Sequence, residues 1–262
     1  MSERPLALVT NDDGVDSPFL HALLAALQVH FRVLVAAPAS EQSWIGRAMS
    51  RRREVTVEAI ELAGAHGWMI DGTPTDCVNL ALGHLLSERP AVVVSGINIG
   101  YNTTMPLLLS SGTLAGALEG AHWGLPAVAA SQALSHSVFA ALQSSRAELP
   151  EGFGPIIEAS AAHAASIAAE VATGDNRELI VHNLNYPVGM RPETPVVDTV
   201  PAHVNLGGLF APCGPDRYAF RYGPGTEEPV DHATDRSTVE NNAVSWSRLN
   251  FSSLTSSIGL TR

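Results

Sequence analysis

Short apolar runs alternate with segments of helical periodicity along the first 185 residues of the chain. Runs typical of buried parallel strands cover residues 6–10, 32–37, 91–95, 127–131 and 179–181. Helices are predicted from about residues 17, 73 and 111 and over 156–172, with Ser17 and Thr73 as N-caps directly before prolines. Strands that alternate with helices predict an α/β fold with a doubly wound, mostly parallel, Rossmann-like sheet.

Two segments depart from this alternation. Residues 53–62 and 68–70 have the pattern of a hairpin, which we expect to stand off the main sheet as an insertion near residues 51–71. After Asn185 the chain is rich in proline and glycine, with isolated strands at 217–221 and 244–249 and no helical stripe. We therefore predict a catalytic domain over 1–185 and a β-rich C-terminal extension over 186–262. An extension without its own core favours exchange between the subunits of an oligomer.

Composition and charge narrow the function classes. The 262 residues are 45% hydrophobic, which is enough for a sizeable core. The net charge of −11 argues against nucleic acid as a bulk electrostatic partner. All 15 basic residues are arginines, which excludes P-loop and Schiff-base lysines. The sequence has neither an N-terminal secretory pattern nor an apolar stretch long enough for a membrane span, so we expect a cytoplasmic protein with no membrane partner. In that compartment we expect Cys77 and Cys213 to be free thiols.

Oxygen-bearing side chains follow the predicted parallel strands at the edge where such sheets bind ligands. The loops concerned contain Asp12 and Asp13, Ser40 and Ser43, Asn98 and Asn102, and Ser110, Ser111 and Thr113. Two adjacent carboxylates repel by about 1–4 kcal/mol at roughly 4 Å, and a cation removes that cost. Oxygen ligands favour a hard cation such as Mg, Mn or Ca. The alternative is that Asp12 and Asp13 only cap a helix or form an Asx-turn.

Ser111, Gly112 and Thr113 begin a helix with small residues, so that backbone N–H groups and hydroxyls are expected to face outward toward an anion. An ordinary Ser N-cap is the alternative for these residues taken alone. A metal-carrying loop that faces an anion-binding helix start across one sheet edge is the layout needed for metal-assisted phosphoryl hydrolysis.

Five motifs, in order and spacing, resemble the SurE survival-protein family. They are Asn11-Asp12-Asp13-Gly14-Val15, Ala37-Pro38 with Ser43, Gly72-Thr73-Pro74-Thr75-Asp76-Cys77, Val94-Ser95-Gly96-Ile97-Asn98, and Ser111-Gly112-Thr113 with Glu119-Gly120. The resemblance is strong over about residues 6–131 and weaker at 182–187 and 234–245. It implies a nucleotidase that acts on nucleoside 5′- and 3′-monophosphates and sometimes on short polyphosphate.

The same resemblance implies the roles of individual residues. One divalent metal ion per subunit would be held by Asp12, Asp13, Ser43 and Asn98, with Asp12 and Asp13 as the catalytic residues. Phosphate would be bound by Ser111, Gly112 and Thr113, and we expect Asn11 to contribute. Family members form dimers or tetramers that exchange the C-terminal arm, so a homodimer or homotetramer is expected here, with a small nucleotide as the substrate.

One position and one loop depart from the family pattern and bear on the leaving group. Trp44 follows Ser43 where the family usually has glycine, and Asn98 is followed by residues 99–104 in place of a small-residue acidic loop. Trp44 and Tyr101 could stack on a base, a contact usually worth roughly 1–3 kcal/mol. They could equally pack on a neighbouring loop or subunit.

Two rival functions stay open from sequence. A haloacid-dehalogenase-type phosphatase also places an aspartate after the first strand, as a nucleophile two residues before a second aspartate. Here Asn11 stands at that position relative to Asp13. A catalytically silent oligomeric scaffold with a vestigial metal loop is the other rival. Trapping of a covalent aspartyl-phosphate, and phosphate release with and without metal, would separate the three.

Overall fold

The computed structural model describes residues 4–144, 149–174 and 178–255. The strands are β1 (Leu6–Thr10), β2 (Arg32–Pro38), β3 (Val57–Leu62), β4 (Ala65–Ile70), β5 (Val92–Ile99), β6 (Ala127–Gln132), β7 (Ile180–Tyr186), β8 (Val196–Asp198), β9 (Val204–Asn205), β10 (Phe210–Gly214), β11 (Arg217–Phe220), β12 (Thr226–Glu227) and β13 (Val244–Asn250). The helices are α1 (Pro18–Leu27), α2 (Pro74–Leu80), α3 (Met105–Ser110), α4 (Gly112–His122), α5 (His136–Ser144), α6 (Gly154–Val171) and α7 (Asp235–Glu240). A π-helical turn (Ala81–Leu85) continues α2, and a 3₁₀ turn (Phe251–Thr255) follows β13.

Nine strands form one sheet in the order β3-β4-β2-β1-β5-β6-β7-β13-β8. The central pairings of β1 with β2 and β5, and of β6 with β5 and β7, are all parallel. Successive residues of β1 face opposite layers, as strand geometry requires. Ala7 and Val9 pack in the cluster that contains α1 and α6, whereas Leu8 packs with Cys77 and Val78 of α2. The predicted doubly wound, mostly parallel sheet with helices on both faces is therefore confirmed.

The hairpin of β3 and β4 belongs to this sheet. β4 pairs in parallel with β2 from Leu34↔His66 to Pro38↔Ile70, so the expectation that the hairpin stands off the main sheet is wrong. The reason lies at Gly67, which the sequence pattern assigned to a turn. A Cβ atom there would lie 1.9 Å from the carbonyl oxygen of Val35, so only glycine lets the two backbones approach this closely.

The C-terminal residues return to the same sheet. β13 pairs antiparallel with β7, and β8 pairs in parallel with β13. The described part of this segment also contains the helix α7, which was not predicted; the hydroxyl of Thr234 caps it by accepting from the backbone N–H of Ser237. The boundary between 1–185 and 186–262, and the exchange of the extension between subunits, stay predictions.

The Ser-Ser pair, the proline and the glycine within residues 140–153 predict an exposed connection. The described part of this range includes the end of α5, and Leu142 and Phe153 are buried in the main core. That expectation is therefore wrong for these residues, because α5 packs Leu142 and the N-cap of α6 packs Phe153 into the core, which the local Ser-rich sequence would not suggest. Within the described ranges, no helix has the length and apolar character to cross a bilayer.

Helix α4 lies unusually close to the sheet because of three glycines spaced four residues apart. A Cβ atom would lie 2.8 Å from Cβ of Asp12 at Gly112, 2.7 Å from Cγ2 of Thr10 at Gly116, and 2.6 Å from Cβ of Val93 at Gly120. Residues four apart share one helix face. This glycine face brings the N-terminus of α4 against the loop that follows β1.

Replacing Gly120 with alanine should lower the free energy of unfolding by about 1–3 kcal/mol, because the added methyl group overlaps Val93 in a closely packed core. Chemical denaturation measures the change. Gly83→Ala is the matched control, since a Cβ atom there meets nothing nearer than a Trp123 ring atom at 3.7 Å. Equal stability of the Gly120→Ala and wild-type proteins would show that α4 can move away from the sheet at no cost.

Candidate active site

The loops after β1, β2 and β5 and the start of α4 meet at the carboxyl edge of the sheet around one cavity of about 860 Å³. The four predicted metal ligands all line this cavity: Asp12, Asp13, Ser43 and Asn98. Ser111, a predicted phosphate contact, lines it as well. The structure thus brings together side chains from four separate segments. Their roles as ligands stay predictions.

Asp12 is the most constrained of these residues. Its side chain is only 3% exposed, and its Oδ1 accepts a hydrogen bond of 2.7 Å from the hydroxyl of Thr113. Burial raises the pKa of Asp12 to about 6, against hydrogen bonds from Thr113 that lower it and the charge of Glu41 that raises it further. A carboxylate in this position resists ionisation unless a positive charge is near. Its environment is therefore suited to a cation.

Asp13 connects the first loop to the end of β5, where Asn98 lies. Oδ2 of Asp13 accepts from the backbone N–H of Ile99 at 2.9 Å. The side-chain nitrogen of Asn98 donates to the carbonyl of Gly100 at 3.0 Å, and the carbonyl oxygen of that side chain is the atom able to ligate a cation. These two contacts fix both side chains at the same wall of the cavity.

The loop after β2 carries Ser43 and is anchored to helix α4 through Arg47. The hydroxyl of Ser43 donates to Oε1 of Glu41 at 2.7 Å, and Glu41 itself lines the cavity. Arg47, four residues further on, forms an ion pair with Glu119 of α4, whose side chain is 3% exposed. Glu41 was missed in the sequence analysis because a lone glutamate in a polar loop is usually a solvated surface residue.

The predicted phosphate-binding residues divide into two groups. Ser111 lies at the cavity and caps α4 by accepting from the N–H of Leu114 at 2.9 Å. Asn11, Gly112 and Thr113 are buried behind the cavity wall. Asn11 donates to the carbonyl of Gly14 at 2.9 Å. The expectation that the Thr113 hydroxyl faces outward is wrong, because the close approach of α4 turns it onto Asp12.

Asn102 connects this site to a buried polar network under the sheet edge. Its side-chain nitrogen donates to the hydroxyls of Thr113 (3.2 Å) and Ser131 (3.0 Å). Its backbone N–H donates to Asn185 at 2.7 Å, and its carbonyl accepts from Asn183 and Asn185, both at 3.1 Å. Asn102 therefore supports Thr113, and through it Asp12. Sequence reasoning identified Asn102 as a candidate ligand but had no signal for its pairing with β6 and β7.

Aromatic side chains also line the cavity. Trp44 and Tyr101 line it, as do Phe220 and Tyr222 from the C-terminal part of the chain. Phe220 and Tyr222 were missed because their sequence distance from the first loop hides the contact. Trp44 does pack on another segment, yet 44% of its surface is exposed. Packing of Trp44 on another segment is therefore confirmed, and its stacking on a base stays a prediction.

Comparisons with known proteins agree with this geometry. The family model described as "Survival protein SurE" matches residues 7–205. The 5′-nucleotidase SurE of Methanocella arvoryzae is 35% identical over 193 residues, which are 73% of this chain and 70% of that protein. The protein of the same name from Nitratidesulfovibrio vulgaris strain Miyazaki F is 38% identical over 198 residues, 75% of this chain and 66% of that protein. The match therefore spans about two thirds of each relative's length.

Among solved structures, the SurE protein from Aquifex aeolicus superimposes with a TM-score of 0.70 at 28% sequence identity. The similarity covers 94% of this chain and 93% of that chain. It therefore extends beyond the region matched by the family model.

Asp12→Asn should stabilise the metal-free protein above about pH 6. Because the pKa of Asp12 is raised in the folded state, the wild-type protein loses stability as pH rises from about 4 through 6, by up to about 3 kcal/mol. Asparagine has no proton to lose. Thermal unfolding in EDTA should therefore give similar melting temperatures near pH 4, with the variant higher near pH 8. The exposed Asp71→Asn is the control, and a difference independent of pH would contradict the expectation.

Proposed function

Since the chain belongs to the SurE survival-protein family of 5′-nucleotidases, we propose that it is a divalent-metal-dependent phosphomonoesterase that hydrolyses nucleoside 5′- and 3′-monophosphates. The observation that supports this most directly is the shared cavity of Asp12, Asp13, Ser43 and Asn98 beside the N-terminus of α4. Oxygen ligands and an anion-binding helix start at one sheet edge suit a phosphate ester better than an uncharged substrate.

The residues at this cavity fit a hard divalent cation. Two carboxylates, one hydroxyl and one amide oxygen are the donor set that Mg or Mn prefers, and the buried Asp12 gains most from a neighbouring positive charge. We propose that Asp12, Asp13, Ser43 and Asn98 hold one such ion per subunit. When bound, the ion supplies a Lewis acid that stabilises negative charge on a phosphate oxygen.

The side chains of this chain would divide the remaining work. Ser111 and the first N–H groups of α4 would bind the phosphate oxygens, aided by the helix dipole. Asp13, fixed by the N–H of Ile99, would orient the attacking water and accept its proton. As the water oxygen bonds to phosphorus, the ester P–O bond breaks and the nucleoside oxygen takes up a proton. Thr113 would act by holding Asp12 in place.

The wider setting of this activity is also a proposal. A net charge of −11 and a concave site favour a small nucleotide over nucleic acid as the substrate. A cytoplasmic location, a homodimer or homotetramer, and exchange of the C-terminal extension remain predictions from the sequence. Size-exclusion chromatography with light scattering measures the oligomer directly.

A nucleophilic aspartate remains a distinguishable rival. In that mechanism an aspartyl-phosphate would form, and the required first aspartate is here Asn11, which lies buried with its amide turned to Gly14. Family membership and this placement both favour the metal-dependent route. Failure to trap a phosphorylated chain during turnover would agree with it.

Phosphate release from AMP should require Mn or Mg and should stop with EDTA. Asp12→Asn and Asn98→Ala should each lower kcat/KM by at least about 100-fold, because the first removes the negative charge of a proposed ligand and the second removes a ligand oxygen. Asp71→Asn, on the exposed hairpin, should keep wild-type activity. The measurement is phosphate release with each metal in parallel, alongside circular dichroism to show that every variant is folded. Metal-independent turnover, or full activity of Asp12→Asn, would contradict the proposal.

A further inference from the structure

Four aromatic side chains form a continuous patch on the cavity, which we call the aromatic wall: Trp44, Tyr101, Phe220 and Tyr222. The ring of Trp44 lies 4.8 Å from that of Phe220, at 66°, and 5.9 Å from that of Tyr222. The side chain of Tyr222 also lies beside that of Tyr101. The four rings therefore support one another, and none stands alone.

The wall is joined directly to the catalytic loops. Trp44 follows Ser43 in the chain, and Tyr101 lies three residues after Asn98. Phe220 ends β11 of the β10–β11 hairpin, so the C-terminal segment contributes to the wall as well. A phosphate held at Ser111 would thus have aromatic surface within the same cavity.

The wall keeps much of its aromatic surface uncovered. Between 39% and 47% of each of the four side chains is exposed, although each lines a concave surface. The cavity of about 860 Å³ is within the range of sites that enclose a drug-sized ligand, and is far larger than a phosphate group needs. Exposed flat apolar rings in such a cavity are suited to a flat apolar ligand group.

We propose that the aromatic wall binds the nucleobase of the substrate, and that Phe220 of the C-terminal hairpin thereby selects nucleoside monophosphates over sugar phosphates that lack a base. This inference rests on the proposed function of the same cavity. It assigns a substrate-binding role to a segment that lies outside the metal loops. Trp44 and Phe220 already contact each other, so the base would stack on their exposed faces and not between them.

Phe220→Ala is the sharpest test because Phe220 is remote in sequence from every proposed metal ligand. Its kcat/KM for AMP should fall by about tenfold or more, the size of one lost stacking contact, whereas its kcat/KM for ribose 5-phosphate should not change. Tyr218→Ala is the matched control: Tyr218 is an exposed aromatic residue of the same β11 strand that does not line the cavity. It should leave both substrates unaffected.

The ratio of the two substrates separates this inference from the proposed function. If Phe220→Ala lowers activity on AMP and ribose 5-phosphate equally, or on neither, the base-binding role is wrong while the phosphatase activity stands. If the wild-type protein hydrolyses neither ester, the proposed function fails. Calorimetric binding of adenosine, which has no phosphate, then decides: binding that Phe220→Ala weakens and Tyr218→Ala does not would support the wall. Equal binding by all three proteins would overturn it.

Discussion

The contact between Asp12 and the N-terminus of α4 is the interaction on which the site depends. The carboxylate is buried, and the hydroxyl of Thr113 donates to it at 2.7 Å. That distance is possible only because Gly112 leaves no Cβ atom between the helix and Asp12, and because Gly116 and Gly120 let the rest of α4 lie flat on β1 and β5. Helix packing and the electrostatics of the first loop are thus two results of one close approach.

This arrangement explains why two kinds of ligand group lie side by side. A buried carboxylate needs compensation by charge, and a helix N-terminus attracts negative charge. Placed together, they suit a phosphate ester accompanied by a cation better than either partner alone. Hydrogen bonds through Asn102 join Thr113 to Ser131 of β6 and Asn185 of β7. These two strands therefore also help to determine how Thr113 is held.

Much of the sheet and the membership of the cavity could be predicted from the sequence, because β1, β2 and β5 are apolar runs that end in polar loops. Parallel strands bring those ends to one edge, which is why Asp12, Ser43 and Asn98 meet. The directions of side chains could not be predicted. The expectation that the Thr113 hydroxyl faces outward was wrong, because the close approach of Gly112 to Asp12 turns that hydroxyl onto Asp12. Phe220 and the pairing of β4 with β2 were missed for a related reason, since both depend on contacts between segments whose local patterns look like exposed hairpins.

The return of β13 to the sheet has a consequence for synthesis of the chain. β7 gains its second neighbour only when residues 244–250 pair with it, although β7 itself ends at Tyr186. An N-terminal fragment, or a chain still attached to the ribosome, therefore presents β7 as an open edge able to recruit strands from other chains. Selection against premature termination late in the message would then act on aggregation as well as on lost activity.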